Sequence, residues 1–270
     1  MIPSVLEYTR ASSIDEAIAA VKGGARPIAG GMSLMPMMRL RLAAPGAIVD
    51  LGGIAELVGV CEDGDEIAVG AMTTHRAVAS DPLIGQHCRV VAQAASGVGS
   101  PQIRNRGTIG GSLAHGDPHG DLPAAVLAAG GAVIVKGPGG ERRIDAGDLI
   151  TSYLTTSLAE DEIITQVRLP KSAGKSAYAK FHRRAIDWSI IGVGVVIGPD
   201  GVRAAATGAG DRPLRLTGFE DAVNGGASAE EAAARAADGI EPHGDLDGSA
   251  EYKKHLLGVL AQRAYAEAGA

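Results

Sequence analysis

Two pairs of adjacent glycines constrain the fold of this chain more than any other feature of its sequence. The first pair lies in the run AGGMSL, residues 29–34, and the second in the run TIGGS, residues 108–112. Each pair follows short apolar residues and precedes a serine, so bare backbone N–H groups and a hydroxyl can converge on one anion. We therefore interpret both runs as turns that hold phosphate.

Neither run matches a common nucleotide-binding motif. The glycines are adjacent, unlike those of the dinucleotide fingerprint G-x-G-x-x-G, and no lysine follows as it does in the P-loop. A single glycine pair more often marks a tight turn without a ligand. Neither run alone therefore predicts a phosphate site, but the two together do. Together they could hold both phosphates of one pyrophosphate through N–H groups alone.

Charge and hydropathy exclude several classes of protein. The formal net charge is −6, which leaves no overall basic surface for nucleic acid. No apolar run approaches the roughly 20 residues of a membrane span, and the N-terminus lacks a signal-peptide pattern. We expect a cytoplasmic protein with no nucleic-acid partner and no membrane span. Cys61 and Cys88 form no CxxC motif, and we expect both to be buried thiols.

The order of predicted elements indicates an α+β fold. Ser13 begins a capping box, which predicts a helix over 14–21. Strands are predicted at 27–29, 47–51, 66–70, 132–136 and 162–169, and helices near 73–76, 82, 90–98 and 124–129. The segment 34–42 is interpreted as a helix or a packed loop. Strict alternation of strand and helix is absent, which favours α+β over a doubly wound sheet.

A polar segment at 171–176 predicts a domain boundary. Beyond it, apolar runs predict strands at 190–197 and 202–207, joined by a hairpin turn at 198–201. Two helices, 229–237 and 252–268, close the chain, and the second presents Leu256, Leu257, Leu260 and Ala264 on one face.

The segment 115–121 carries two histidines and two aspartates, His115, Asp117, His119 and Asp121. Glycines and a proline between them exclude the regular helix on which an HExxH zinc site depends, so we expect no metal. No Gly-x-Ser-x-Gly elbow is present, and a pairing of Ser112 with His115 lacks a third partner, which argues against a hydrolase.

Around its glycine runs the sequence resembles the FAD-binding medium subunit of the molybdenum hydroxylases, the group of carbon monoxide dehydrogenase and xanthine dehydrogenase. The resemblance rests on residues 29–38 and 101–111, with Asp117-Pro118 and Asp121-Leu122-Pro123 after them, and extends from Ile2-Pro3 to the Ala-rich C-terminus. It implies a two-subdomain FAD-binding fold of the vanillyl-alcohol oxidase and p-cresol methylhydroxylase type. This domain would span 1–173, with subdomains at about 1–52 and 53–173, before a C-terminal α+β domain of the CO dehydrogenase flavoprotein type at 176–270.

The resemblance also implies non-covalent FAD with its pyrophosphate between the two runs, and no catalytic or metal-binding residue. The implied cofactor-binding residues are Ala29, Gly30, Gly31, Met32, Ser33, Leu34, Thr108, Ile109, Gly110, Gly111, Ser112, Asp121, Ile164 and Lys180. Asp121 would bind a polar group of the cofactor, while Ile164 and Lys180 would approach it from the second subdomain and the domain junction.

Several positions depart from the commonest family pattern. Met32 stands where a polar residue is frequent, and Ser112 replaces a frequent Asn or Asp. His119 lies at a variable position. Trp188 could cover the flavin ring or pack within the C-terminal domain.

By the same resemblance the chain is an electron-transfer subunit that does not touch the organic substrate. Its implied partners are a molybdenum-cofactor large subunit and a small subunit with two 2Fe-2S clusters, in a dimer of heterotrimers. FAD would pass electrons from the clusters to NAD, oxygen or a quinone. Two alternatives stay open at this point: a self-sufficient FAD-dependent oxidase or dehydrogenase of a small molecule, and a non-catalytic assembly subunit that has lost FAD, which Met32 favours.

Overall fold

The computed structural model describes residues 4–171 and 175–269. Ile2-Pro3 and part of the predicted boundary, residues 172–174, lie outside the described residues. Strands and helices follow one another without regular alternation, which confirms the predicted α+β class. None of the described helices combines the length and the apolar composition needed to cross a membrane.

The first part of the chain forms a small parallel sheet in the order β1-β3-β2. Its strands are β1 (Glu7–Arg10), β2 (Arg26–Ile28) and β3 (Ala47–Asp50). The crossovers that parallel strands require are α1 (Ile14–Lys22) and α2 (Leu34–Arg39). As predicted, Ser13 caps α1 by accepting from the amide of Glu16. The first glycine run therefore leaves the carboxyl end of β2 and leads into α2.

The middle part is an antiparallel sheet in the order β4-β5-β10-β6-β7. Its strands are β4 (Val60–Asp63), β5 (Glu66–Gly70), β6 (Ala132–Gly137), β7 (Gly140–Asp145) and β10 (Ile163–Pro170). A short hairpin, β8 (Ile150–Ser152) and β9 (Thr155–Thr156), precedes β10. The strands predicted at 66–70, 132–136 and 162–169 are confirmed.

Seven helices accompany this sheet among the described residues. They are α3 (His75–Ser80), α4 (Pro82–His87), α5 (Arg89–Ser96), α6 (Pro101–Arg104), α7 (Ile109–His115), α8 (Asp121–Ala129) and α9 (Ala146–Leu149). Buried residues of α5 and α8 pack with Ile67, Val133 and Val167 of the strands. The second glycine run, expected as a turn, is the start of α7, because the Thr108 hydroxyl caps the helix there.

The last part is an antiparallel sheet in the order β11-β12-β13-β14, covered by helices. Its elements are β11 (Lys175–Phe181), β12 (Ile191–Gly198), β13 (Gly201–Thr207), β14 (Leu214–Arg215), α10 (Thr217–Asn224), α11 (Ala229–Ala234) and α12 (Ala250–Ala268). The hairpin at 198–201 and the buried apolar face of α12 are confirmed. The polar segment is shorter than predicted, because β11 already includes buried Ser176, whose hydroxyl accepts from the amide of Val90.

Each of the three sheets has its own buried apolar cluster. The cluster of the middle sheet also contains Tyr178, Val196 and Ala205 from the last sheet. The middle and last parts therefore share packed side chains across the polar segment, and the exact domain boundaries stay a prediction.

The two cysteines differ in exposure, which corrects the expectation that both are buried. Cys61 lies exposed on the edge strand β4, whereas Cys88 is buried and its thiol contacts the carbonyl of Pro170 at 3.4 Å. Burial raises the pKa of Cys88 to about 12, and the thiolate is the reactive form. We expect a thiol reagent at neutral pH to label one cysteine per folded chain and two in urea. Labelling of Cys88 in the folded chain would contradict this placement.

Candidate functional site

A cleft of about 880 Å³ opens beside the two glycine runs. It is lined by residues 29–34 of the first run and by Thr108, Gly110, Gly111 and Ser112 of the second. Ile163 and Ile164 at the start of β10 also line it. This volume falls within the roughly 300–1,000 Å³ typical of clefts that hold small molecules and cofactors.

The first run lines this cleft, and its backbone N–H groups are unpaired in the part of the chain that the structure describes. Within the described residues, none of the amides of residues 30–34 donates to a protein acceptor, and the Ser33 hydroxyl forms no cap. Gly31 has a φ of +73°, a conformation that glycine adopts without strain. Successive unpaired N–H groups in such a concave turn form a favourable environment for an anion.

The second run differs from our expectation, because its amides are already bonded within the protein. They donate as follows: Ile109 to the carbonyl of Thr73 at 3.1 Å, Gly110 to that of Ala71 at 2.9 Å, Gly111 to the Thr108 hydroxyl at 3.1 Å, and Ser112 to the Thr108 carbonyl at 3.0 Å. This run contributes backbone atoms and the hydroxyls of Thr108 and Ser112 to the wall of the cleft.

The two runs lie close to each other. A Cβ atom on Gly30 would lie 1.9 Å from the carbonyl oxygen of Arg106 and 2.7 Å from the Cα of Gly107. A Cβ on Gly111 would lie 3.4 Å from the Cβ of Ala29. The distances at Gly30 leave no room for a side chain, so glycine is required there, whereas the close contact at Gly111 is with Thr108 Oγ1 of its own run at 2.9 Å.

Asp121 and Lys180 lie outside the lining of the cleft and bind each other. One carboxylate oxygen of Asp121 accepts from Lys180 Nζ at 2.8 Å, and the other accepts from the hydroxyls of Tyr178 at 2.9 Å and Ser189 at 2.5 Å. Burial, with Asp121 as a smaller cause, raises the pKa of Tyr178 well above its usual value. This buried cluster joins α8 to β11 and to the segment before β12; a contact of Asp121 or Lys180 with a cofactor stays a prediction.

Comparison with known proteins places these features in a family. Residues 4–172 match the FAD binding domain in molybdopterin dehydrogenase, and residues 176–268 match the CO dehydrogenase flavoprotein C-terminal domain. The nicotine 6-hydroxylase medium subunit of Paenarthrobacter nicotinovorans is 38% identical over 98% of both chains. The carbon monoxide dehydrogenase medium chain of Hydrogenophaga pseudoflava is 37% identical over 98% of this chain and 97% of its own.

The chain belongs to the FAD-binding medium subunits of the molybdenum hydroxylases. Solved structures agree: carbon monoxide dehydrogenase from Hydrogenophaga pseudoflava gives a TM-score of 0.94 at 37% identity, covering 99% of this chain and 98% of its own. Quinoline 2-oxidoreductase from Pseudomonas putida 86 gives 0.93 at 27% identity with the same coverage. This medium subunit is thus part of an oxidoreductase, and FAD, the expected cofactor, is the one for which the family is described. The cytoplasmic location stays a prediction.

The other residues singled out from the sequence of the medium subunit lie in different environments: in the core, at the cleft or on the surface. Ile109 is fully buried and is not among the residues that line the cleft. His119 Nδ1 lies 2.8 Å from the carbonyl of Ser189, and His115 lines the cleft 3.9 Å from an oxygen of Asp117. No group of three metal-ligating side chains is assembled within residues 4–171 and 175–269. Trp188 is 61% exposed, which excludes packing within the C-terminal core; its contact with a flavin is untested.

His75, which no sequence pattern singled out, also lines the cleft. It is 5% exposed, and its Nδ1 atom is fully buried without a hydrogen-bond partner in the described part of the medium subunit. Thr74-His75-Arg76 was interpreted only as a helix start. Its burial follows from the pairing of Thr74 with Thr108, a contact between distant residues that local pattern does not reveal.

Acidification is expected to destabilise the wild-type subunit more than the His75→Gln variant. Burial, and to a lesser degree Arg104, lowers the pKa of His75 from 6.5 to about 4. Between these values the unfolded chain binds the proton and the folded chain does not, so the stability from neutral His75 is complete above pH 6.5 and is lost as pH falls. From pH 7 to pH 5 we expect an extra loss of roughly 2 kcal/mol in wild type. Urea unfolding at both pH values measures it; equal losses in both proteins would contradict it.

Proposed function

We propose that this medium subunit binds FAD non-covalently in the cleft and relays electrons without acting on the organic substrate. The observation that carries the proposal is the series of unpaired amides at residues 30–34, in a run that lines the cleft and contains the adjacent glycines Gly30 and Gly31. A pyrophosphate is the part of FAD that such donors suit, because it brings two adjacent anionic groups.

The residues of the cleft fit this cofactor. Amides of residues 30–34 would bind the pyrophosphate, while Thr108 and Ser112 would add hydroxyl donors from the facing run. Gly30, Gly110 and Gly111 are required by close packing within the protein, since a Cβ at each of them would lie within 3 Å of a neighbouring protein atom. Ile164 would contribute an apolar contact. We retain Asp121 and Lys180 as proposed cofactor residues, held together at the edge of the C-terminal domain.

When bound, FAD would accept electrons from the 2Fe-2S clusters of a small subunit and deliver them to a terminal acceptor. The chain's own residues would orient the cofactor, hold its phosphates and exclude water from part of its surface. The described residues hold no cluster of side chains that would ligate a metal, and we propose that the substrate is oxidised on a separate molybdenum subunit.

We propose that the assembly is a dimer of heterotrimers with large and small subunits, and the names of the relatives support a complex of several subunits. They are called a medium subunit, a medium chain and a subunit of a dehydrogenase complex. In this chain, apolar side chains are exposed at Met32, Met35, Leu40 and Leu42. Four such side chains within one short segment beside the cleft are consistent with burial against a partner.

Purification of the chain together with its accompanying subunits tests this function. We expect two further subunits, molybdenum, iron and one acid-releasable FAD per medium subunit. The complex, reduced with dithionite, should be reoxidised by NAD⁺, oxygen or a quinone, and removal of FAD should abolish that step. Substrate turnover by the medium subunit alone would favour a self-sufficient oxidase instead. A complex that is active without flavin would favour a purely structural subunit.

A further inference from the structure

His75 combines two features that the proposed function leaves unexplained. Its side chain is almost completely buried, yet it lines the cleft, and its Nδ1 atom has no partner within the described residues. Buried polar side-chain atoms nearly always have a hydrogen-bond partner, so an exception inside a binding cleft calls for a reason. The backbone amide of His75 donates to the carbonyl of Gly107 at 2.9 Å, which fixes the residue beside the second run.

The position of the imidazole ring follows from its contact with Gly107. A Cβ on Gly107 would lie 2.8 Å from both Cδ2 and Nε2 of His75, so this edge of the ring packs on the Gly107 backbone. The Cα of Gly107 in turn adjoins Gly30, where a Cβ would lie 2.7 Å from it. Gly107 therefore contacts both the ring and Gly30, and Nε2 belongs to the ring edge that faces Gly107.

The burial of Nδ1 selects one tautomer of a neutral ring. A buried N–H without an acceptor is rarer in proteins than a buried acceptor without a donor. The proton is therefore better placed on Nε2, which leaves a lone pair at Nδ1. In this form the ring edge beside the glycine runs is a hydrogen-bond donor.

We propose that His75, as the neutral Nε2–H tautomer, donates a hydrogen bond to an anionic phosphate oxygen of the bound dinucleotide. This inference rests on the proposed function and deepens it by adding a positioning residue to the backbone donors of residues 30–34. Burial and the neighbouring Arg104 keep the pKa of His75 at about 4, so the ring donates without carrying a charge near neutral pH.

Arg104 is the cation that helps to lower the pKa of His75, but it does not itself replace His75 in this role. Its guanidinium group donates to the carbonyls of Val98 at 3.0 Å and Gly99 at 2.7 Å. These bonds hold the arginine against its own loop. The phosphate would thus be bound by neutral donors, which is consistent with the first run, whose donors are also backbone amides.

Three substitutions of His75 separate hydrogen bonding from packing. In His75→Gln the amide nitrogen lies near the position of Nε2, whereas in His75→Asn it lies near that of Nδ1, and His75→Leu fills the space without a donor. In the assembled complex we expect the FAD dissociation constant to rise about 10- to 100-fold for Leu and Asn, the range for one hydrogen bond to a charged group, and little for Gln. The exposed His243 provides the control, His243→Gln, which should bind as wild type.

The visible spectrum of the bound flavin gives a second readout. At saturating FAD we expect it to be unchanged in all variants, because the proposed contact is with the phosphates and not with the ring system. If Leu binds FAD as tightly as wild type, or if Gln loses as much as Asn, the inference about His75 is overturned while the proposed function stands. A wild-type complex that binds no FAD would instead overturn the proposed function.

Discussion

Replacement of Asp121 by alanine is expected to lower the free energy of unfolding by about 3–5 kcal/mol, the range for removing one partner of a buried ion pair. Asp121 and Lys180 are both largely buried and lie 2.8 Å apart. Without the carboxylate, Lys180 loses its counterion in a poorly solvated position, and the hydroxyls of Tyr178 and Ser189 lose their acceptor. The shift of the urea midpoint measures the loss.

An exposed ion pair of similar length provides the control. Lys136 and Asp15 lie 2.9 Å apart, but the Asp15 side chain is 84% exposed. Solvent screens such a pair, so Asp15→Ala should cost about 1 kcal/mol or less. Equal losses for the two variants would show that the cluster at the junction of α8 and β11 does not hold the two parts of the chain together.

Replacement of Gly30 by alanine is expected to weaken flavin binding while the chain stays folded. The new Cβ would lie 1.9 Å from the carbonyl oxygen of Arg106, so one of the two glycine runs must move. Gly30 belongs to none of the three buried apolar clusters, which is why we expect the fold to survive. Overpacking of this kind costs about 1–3 kcal/mol, which corresponds to roughly a 5- to 150-fold weaker affinity for FAD.

Gly85 provides the matched control for this substitution. It lies in α4, and a Cβ there would meet no atom within 4 Å. Gly85→Ala should retain FAD and gain a little stability, because alanine favours a helix over glycine. The FAD content of the purified complex measures retention, and the urea midpoint measures stability. Retention of FAD by Gly30→Ala, with affinity equal to that of Gly85→Ala, would contradict the close apposition of the two runs.

The sequence predicted the structure best where a structural feature depends on residues close together in the chain. Adjacent glycines located both runs, and apolar alternation or short apolar runs located β5, β6, β10 and the hairpin of β12 and β13. Capping residues located the start of α1. These signals depend on only a few consecutive residues, so they can be identified from the sequence alone.

The features that were missed depend on contacts between distant residues. Whether the amides of residues 109–112 are free depends on the carbonyls of Ala71 and Thr73, which no pattern around the second run reveals. The burial of His75, the pairing of Asp121 with Lys180 and the exposure of Cys61 are of the same kind. The parallel pairing of β1, β2 and β3 was also missed, since each strand is too short to indicate its partner.

A crystal structure of the assembled complex with FAD tests the central claim most directly. We predict pyrophosphate oxygens about 2.7–3.2 Å from amide nitrogens of residues 30–34, with the backbone of Gly110 and Gly111 on the other side of the phosphates. Flavin bound elsewhere in the complex, with the first run empty, would contradict this account.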